Sequence, residues 1–133
     1  MRYLGIDFGT KRVGLALSDE TGSIATPLEA VSTQKALERV EEVIGEKGVE
    51  EVVVGDPGDS SSMNQELQEF IGQLSLQIDI PIHMQNEQFT SVFADQFRDY
   101  EKPRARLTKK DTSKKRDDSA AAIILQRFLD KQK

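Results

Sequence analysis

Residues 1–19, "MRYLGIDFGTKRVGLALSD", decide the fold. Two apolar runs, Tyr3–Phe8 and Val13–Leu17, flank "GTKR", and that spacing predicts a β-hairpin with a short loop. Asp7 is out of keeping with its run. On a strand, Tyr3, Gly5 and Asp7 share one face while Leu4, Ile6 and Phe8 share the other. A buried isolated carboxylate is costly unless a partner or a metal compensates it. Gly5 and Gly9 are expected to leave room for something to approach the backbone beside Asp7. Two readings stay open for it: an acid hydrogen-bonded near the turn, or a group that meets a ligand.

Working outward, Gly22–Val31 reads as a third, weaker strand. In Gln34–Lys47, Leu37, Val40, Val43 and Ile44 fall at helical spacing. "EEVVVG" is a short β-branched run of the kind found in a strand buried on both faces, and "GDPGDSSS" is a loop by its turn chemistry. Leu67, Phe70, Ile71 and Leu74 mark an amphipathic helix, for which Ser62 and Gln65 form a candidate capping box. "IPIHM" reads as a strand and Thr90–Tyr100 as a helix. The basic segment is expected to interrupt regular structure, with a last helix from about Asp117 to Leu129. The order β-β-β-α-β-α-β-α-α implies an α/β fold. Its five-stranded mixed sheet would have three antiparallel strands and then parallel additions, flanked by helices, in the ribonuclease H-like layout.

A chain of 133 residues is expected to form one domain spanning 1–133. The absence of cysteine removes disulfides, thiolate zinc sites and cysteine nucleophiles. No apolar run approaches the ~20 residues of a membrane span, and no signal-peptide pattern opens the chain. The expectation is a cytoplasmic protein with no membrane contact. The net charge is −5, yet residues 102–116, "KPRARLTKKDTSKKR", hold eight basic side chains and one acid, a local +7 against −12 elsewhere. Such a segment is either a solvated loop or a binding surface for a polyanion.

Two further acids accompany Asp7. Glu87, in "HMQNEQFTS", lies between a predicted strand and a predicted helix, where catalytic groups of open α/β sheets gather; the helix dipole would also favour an acid there. Asp118 heads the stripe of Ala121, Ala122, Leu125 and Leu129, where an apolar residue would be usual. Asp117 points about 100° away and is the better candidate for a helix cap; a first-turn acid answering the dipole is the plain reading of Asp118. The alanines would let this helix approach the sheet closely. In a ribonuclease H-like fold the three acids converge at one end of the sheet. Hard oxygen ligands suit one or two Mg²⁺ or Mn²⁺ ions, which would serve phosphodiester hydrolysis. The basic segment would hold the phosphate backbone beside them.

"LGIDFGTKRVGLALSD" closely resembles the opening signature of the YqgF (RuvX) family. The resemblance runs on through "VEEVVVGDPGD", "IPIHMQNEQFTS" and "KKRDDSAAAIILQRFL", essentially the whole chain. It implies a RuvC-like ribonuclease H fold and either Holliday-junction resolution or maturation of the 16S rRNA precursor. It also implies an acidic triad of Asp7, Glu87 and Asp118, the spacing to "SAAAIIL" selecting Asp118 over Asp117. Three departures stand out. Asn86-Glu87-Gln88 replaces the usual Asp-Glu-Arg, Gly55-Asp56-Pro57-Gly58 replaces Gly-Leu-Pro-Leu, and "DSSSMNQ" replaces the Asn- and Gly-rich continuation.

"GTKR" also resembles the phosphate loop of sugar kinases, but those clamp nucleotide between two such domains, and no Gly-Lys-Ser/Thr loop is present. His83, the lone histidine, reads as structural, Phe89, Phe93 and Phe97 as core, and Tyr100 as packing. The reading is a divalent-metal-dependent nuclease with catalytic and metal-binding Asp7, Glu87 and Asp118. Lys109, Lys110, Lys114, Lys115 and Arg116 would hold nucleic acid, with Lys11 and Arg12 as helpers. Structured RNA and branched DNA are both open as substrates, and monomer or homodimer as the assembly. The rival is a non-catalytic nucleic-acid-binding module on the same fold, which the Asn86 and Gln88 changes motivate.

Overall fold

The computed structural model describes residues 1–58, 62–86 and 109–132, with the backbone alone over 109–119. Strands β1 (Tyr3–Asp7), β2 (Arg12–Ser18) and β3 (Ala25–Ser32) are followed by a 3-10 turn, Thr33–Lys35, and helix α1 (Ala36–Lys47). Then come β4 (Glu51–Asp56), α2 (Asn64–Gln77), β5 (Ile82–Asn86) and a final helix, α3 (Lys109–Lys131). The five strands form one sheet in the order β3-β2-β1-β4-β5. β1 pairs antiparallel with β2 and β2 with β3, while β4 joins β1 and β5 joins β4 in parallel. This is the mixed sheet expected.

Strand alternation builds two apolar layers. Leu4, Ile6, Phe8, Val13, Leu15, Val52 and Val54 meet Val40 and Val43 of α1 and Leu67, Phe70 and Leu74 of α2. On the opposite face Ala16 and Val53 meet Ala121, Ile124, Leu125, Phe128 and Leu129 of α3. Burial of these side chains, roughly 1.5–3 kcal/mol each for the larger aliphatics, is the main force holding helices to sheet.

The structure moves several boundaries. β3 starts at Ala25 because the preceding turn is locked: Asp19 accepts from the Thr21 hydroxyl at 2.6 Å and from the Ser23 and Ile24 N–H groups at 2.8 and 3.1 Å. β5 begins at Ile82, since Pro81 has no N–H and enters the ladder only through its carbonyl, which accepts from Val52 N at 2.9 Å. The Ser62/Gln65 capping box does not form. α2 starts at Asn64, and its N-cap, Met63, makes no side-chain cap bond.

The largest correction concerns the basic segment. α3 begins at Lys109, eight residues before Asp117, so the stretch 109–116 continues regular structure rather than interrupting it. Lys and Arg are good helix formers, and the breaker Pro103 lies upstream. Asp117 and Asp118 therefore sit inside the helix, and neither the cap nor the first-turn dipole explains them, because both effects act only at the terminal turn. The predicted helix Thr90–Tyr100, with Phe89, Phe93, Phe97 and Tyr100, lies outside the described residues.

Candidate active site at the carboxyl edge of the sheet

Asp7 is the last residue of β1, at the edge where the parallel strands end. It is half-buried, so it escapes full desolvation. Its neighbours explain why a carboxylate is tolerated there. Asp7 pairs with Gly14 of β2. On the other side the β1–β4 register, Ile6 against Val54, sets Gly55 beside it, and Gly55 pairs with Gln85. Along that row, on the face covered by α3, the carboxylate stands between two positions without side chains. Gly14 and Gly55, both buried, put no side chain beside Asp7 in that row.

Gly5 and Gly9, expected to provide that room, do other things. A Cβ on Gly5 would lie 2.8 Å from Leu125 Cβ and 3.1 Å from the Ala121 carbonyl, so what approaches there is α3 itself. A Cβ on Gly9 would lie 2.4 Å from the Arg12 carbonyl, so Gly9 serves the tight β1–β2 turn. Thr33 pins that turn from below β3: its hydroxyl donates to Gly9 O at 2.7 Å and its N–H donates to Lys11 O at 3.0 Å. No sequence signal singled out Thr33. Lys11 and Arg12 are both exposed at the turn, on the same edge as Asp7.

Asp56 and Gly58, which depart from the family pattern, form a local pair. The Gly58 N–H donates to Asp56 Oδ1 at 2.9 Å, and Gly58 takes φ 99°, a conformation glycine adopts without strain. The altered segment is thus a self-consistent Asx turn closing β4.

Helix α3 runs antiparallel to β1. Tyr3 meets Phe128, ring centroids 5.6 Å apart, and Gly5 meets Leu125 and Ala121. The turn before Ala121, which contains Asp118, therefore lies toward the Asp7 end of the strand. Lys109, Lys110, Lys114, Lys115 and Arg116 occupy the helix's first turns, and their side chains lie outside the description. Glu87, with Gln88, also lies outside the described residues; it follows Asn86, the last residue of β5.

His83 belongs to the opposite stretch of the α3 face. Its Nε2 pairs with Glu51, and its ring packs 5.1 Å from Phe128. Burial, then the charges of Glu51 and Glu50, push the Tyr3 phenol above its ordinary value. This is a structural cluster holding β4, β5 and α3 together.

Over residues 1–131 the chain matches the family model described as "RuvX: Holliday junction resolvase". The chain belongs to the RuvX family. A protein of Roseiflexus sp. (strain RS-1) is 37% identical over 144 residues, covering 99% of this chain and 96% of its own length. One of Sulfurihydrogenibium sp. (strain YO3AOP1) is 35% identical, covering 98% and 90%. Both carry the name "Putative pre-16S rRNA nuclease". Among solved structures, the fowlpox virus resolvase with Holliday junction DNA superposes with a TM-score of 0.57 at 15% identity over 99% of each chain. T. thermophilus RuvC with its Holliday junction substrate gives 0.53 at 20% identity over 66% of each. These likenesses confirm the ribonuclease H-like fold.

RuvX membership makes this chain an enzyme of the nuclease class, and RuvC-like nucleases depend on divalent metal. Asp7 fits that requirement, offering a hard oxygen donor at the strand edge. Among the described residues no three His, Cys, Asp or Glu side chains gather around a common point. The two other acids of the expected triad are outside that set. Among them, too, no helix is long and apolar enough to cross a membrane.

Proposed function

We propose that this chain is a metal-dependent endonuclease that trims the 16S rRNA precursor in the cytoplasm, acting as one unit over residues 1–133. Asp7, Glu87 and Asp118 are its metal ligands. The observation that carries the reading is Asp7 at the end of β1, flanked by Gly14 and Gly55, in a chain that matches RuvX over 1–131. β1 and β5 are separated by two interstrand spacings, about 10 Å. Glu87 follows the last residue of β5 in the sequence, so the reading takes one acid from the carboxyl end of each of these strands.

One or two Mg²⁺ or Mn²⁺ ions would be held by the three carboxylates and would supply Lewis acidity toward the phosphate and its attacking water. The chain's own residues do the rest. The carboxylates fix the geometry of the centre. Lys109, Lys110, Lys114, Lys115 and Arg116 on the leading turns of α3, with Lys11 and Arg12 at the β1–β2 turn, hold the backbone phosphates. Water adds to phosphorus in line and loses a proton to solvent; the P–O bond to the leaving sugar oxygen breaks, and that oxygen takes up a proton. Single-site trimming needs only a monomer, whereas symmetric cutting of a junction would call for a two-fold dimer.

The test is cleavage of a labelled precursor-rRNA fragment and a labelled four-way DNA junction with Mn²⁺ or Mg²⁺. Wild type is compared with Asp7→Asn, Glu87→Gln and Asp118→Asn, each checked for folding by circular dichroism. The reading expects wild-type cleavage of the RNA and its loss in all three folded variants. Preferential cutting of the junction would transfer the assignment to branched DNA. Binding of either substrate without cleavage under both metals would favour a non-catalytic module, the reading that Asn86 and Gln88 support.

A further inference from the structure

We infer that the cavity between β5 and the last turns of α3 is a nucleotide subsite, taking one unpaired nucleotide of a single-stranded segment beside the catalytic edge. The inference rests on the nuclease reading for its place in the reaction, though the cavity stands on its own geometry. It holds about 450 Å³ and is lined by Gln85, Asn86, Arg127, Asp130 and Lys131. That volume is within the range of small-ligand sites and too small for a base pair with its backbones.

The lining chemistry is that of a nucleotide. Lys131, with Arg127 beside it, supplies positive charge for a phosphate, and the Gln85 amide supplies a donor and an acceptor for a base edge. Asp130 opposes the phosphate, but its Oδ1 accepts from Gln126 Nε2 at 3.1 Å, which draws it back along α3. Gln85 is the decisive residue. It is only 4% exposed, and among the described residues its side chain makes no hydrogen bond, although it lines the cavity. A side chain so far buried, with no hydrogen bond among the described residues and its amide reaching the cavity, is available to a ligand there.

Position supports the same assignment. Gln85 lies in the row Gly14–Asp7–Gly55–Gln85, two interstrand spacings, about 10 Å, from Asp7. A chain whose scissile phosphate sits at Asp7 reaches the cavity with a neighbouring nucleotide. The base must be unpaired to present its edge to Gln85, so the subsite selects single-stranded ends or loops over duplex.

The experiment is fluorescence anisotropy with a labelled single-stranded RNA of mixed sequence, and the same RNA in a blunt duplex, in EDTA with the full chain. Lys131→Glu should weaken single-strand binding by about fivefold and reduce the salt slope by about one, with a smaller effect on the duplex. Gln85→Leu should weaken single-strand binding while leaving the salt slope unchanged. Lys47→Glu, at the far end of α1, is the control for charge alone and should bind as wild type. Normal binding by folded Lys131→Glu, equal losses in Lys131→Glu and Lys47→Glu, or no single-strand binding by wild type would each overturn the subsite. If Gln85→Leu misfolds, Lys131→Glu decides alone. Because binding is read without metal, the two readings fail separately. A wild type that shows this pattern yet never cleaves sinks the nuclease reading alone, and one that cleaves while the variants bind normally sinks the subsite alone.

Discussion

Asp7 is a single carboxylate at a strand end with glycines as its neighbours on both sides, and on the function proposed above it holds metal. Replacing Asp7 by Asn keeps the size but removes the charge and turns one acceptor into a donor, so cleavage should fall at least about a hundredfold, the scale for losing one electrostatic partner of a transition state. The variant's denaturation midpoint should stay near wild type, and a large fall in it would reassign Asp7 to a structural role. Gly5 makes the converse prediction. In Gly5→Ala the new methyl meets Leu125 Cβ at 2.8 Å and the Ala121 carbonyl at 3.1 Å, and a carbonyl in a helix cannot turn aside. Urea denaturation should show a loss of about 1–3 kcal/mol, typical of overpacking.

Individual elements owe their positions to short polar devices. Thr33 holds the β1–β2 turn through the Gly9 and Lys11 carbonyls. Thr33→Val should cost about 1 kcal/mol in stability and should slow RNA cleavage by more than that loss accounts for, since Lys11 and Arg12 ride on the same turn. A comparison of kcat/KM with the urea midpoint separates the two effects. The β2–β3 turn predicts an acid-pH signature. The Thr21 hydroxyl, then the Ile24 and Ser23 N–H groups, lower the Asp19 pKa from 3.8 to about 2. A depressed carboxyl stabilises the fold above its unfolded value and loses that contribution as pH falls toward the folded value. The stability gap between wild type and Asp19→Ala should therefore close as pH drops from 3.8 to about 2, measured by urea titration across that window.

At the same scale the limits of sequence reading are visible. The succession of strands and helices, the hairpin, α1 and α2 were legible because apolar periodicity survives in a single chain. The start of α3 was not, since a highly charged helix end carries no apolar period and reads like a loop. Nor were the glycines that flank Asp7, since Gly14 and Gly55 reach it only across strands; linear order points instead to the nearer Gly5 and Gly9. The edge position of Asp7 was legible because a carboxylate within an apolar run is anomalous wherever it lies.

Across the whole molecule, two apolar layers hold the sheet independently of any bound ion. Chelation with EDTA should therefore abolish cleavage while leaving far-UV circular dichroism and the thermal midpoint nearly unchanged. A chelator-induced loss of helix signal would show instead that metal is structural.

The order of assembly follows from where α3 sits in the chain. Among the described residues it alone covers the face that bears Asp7, and it follows all five strands in the chain. As a ribosome releases the polypeptide, all five strands emerge before residues 120–131 can dock on β1 and β2. On the function proposed above, the growing chain passes the ribosome's own RNA in a form that cannot cut it. Competence arrives only once α3 has docked.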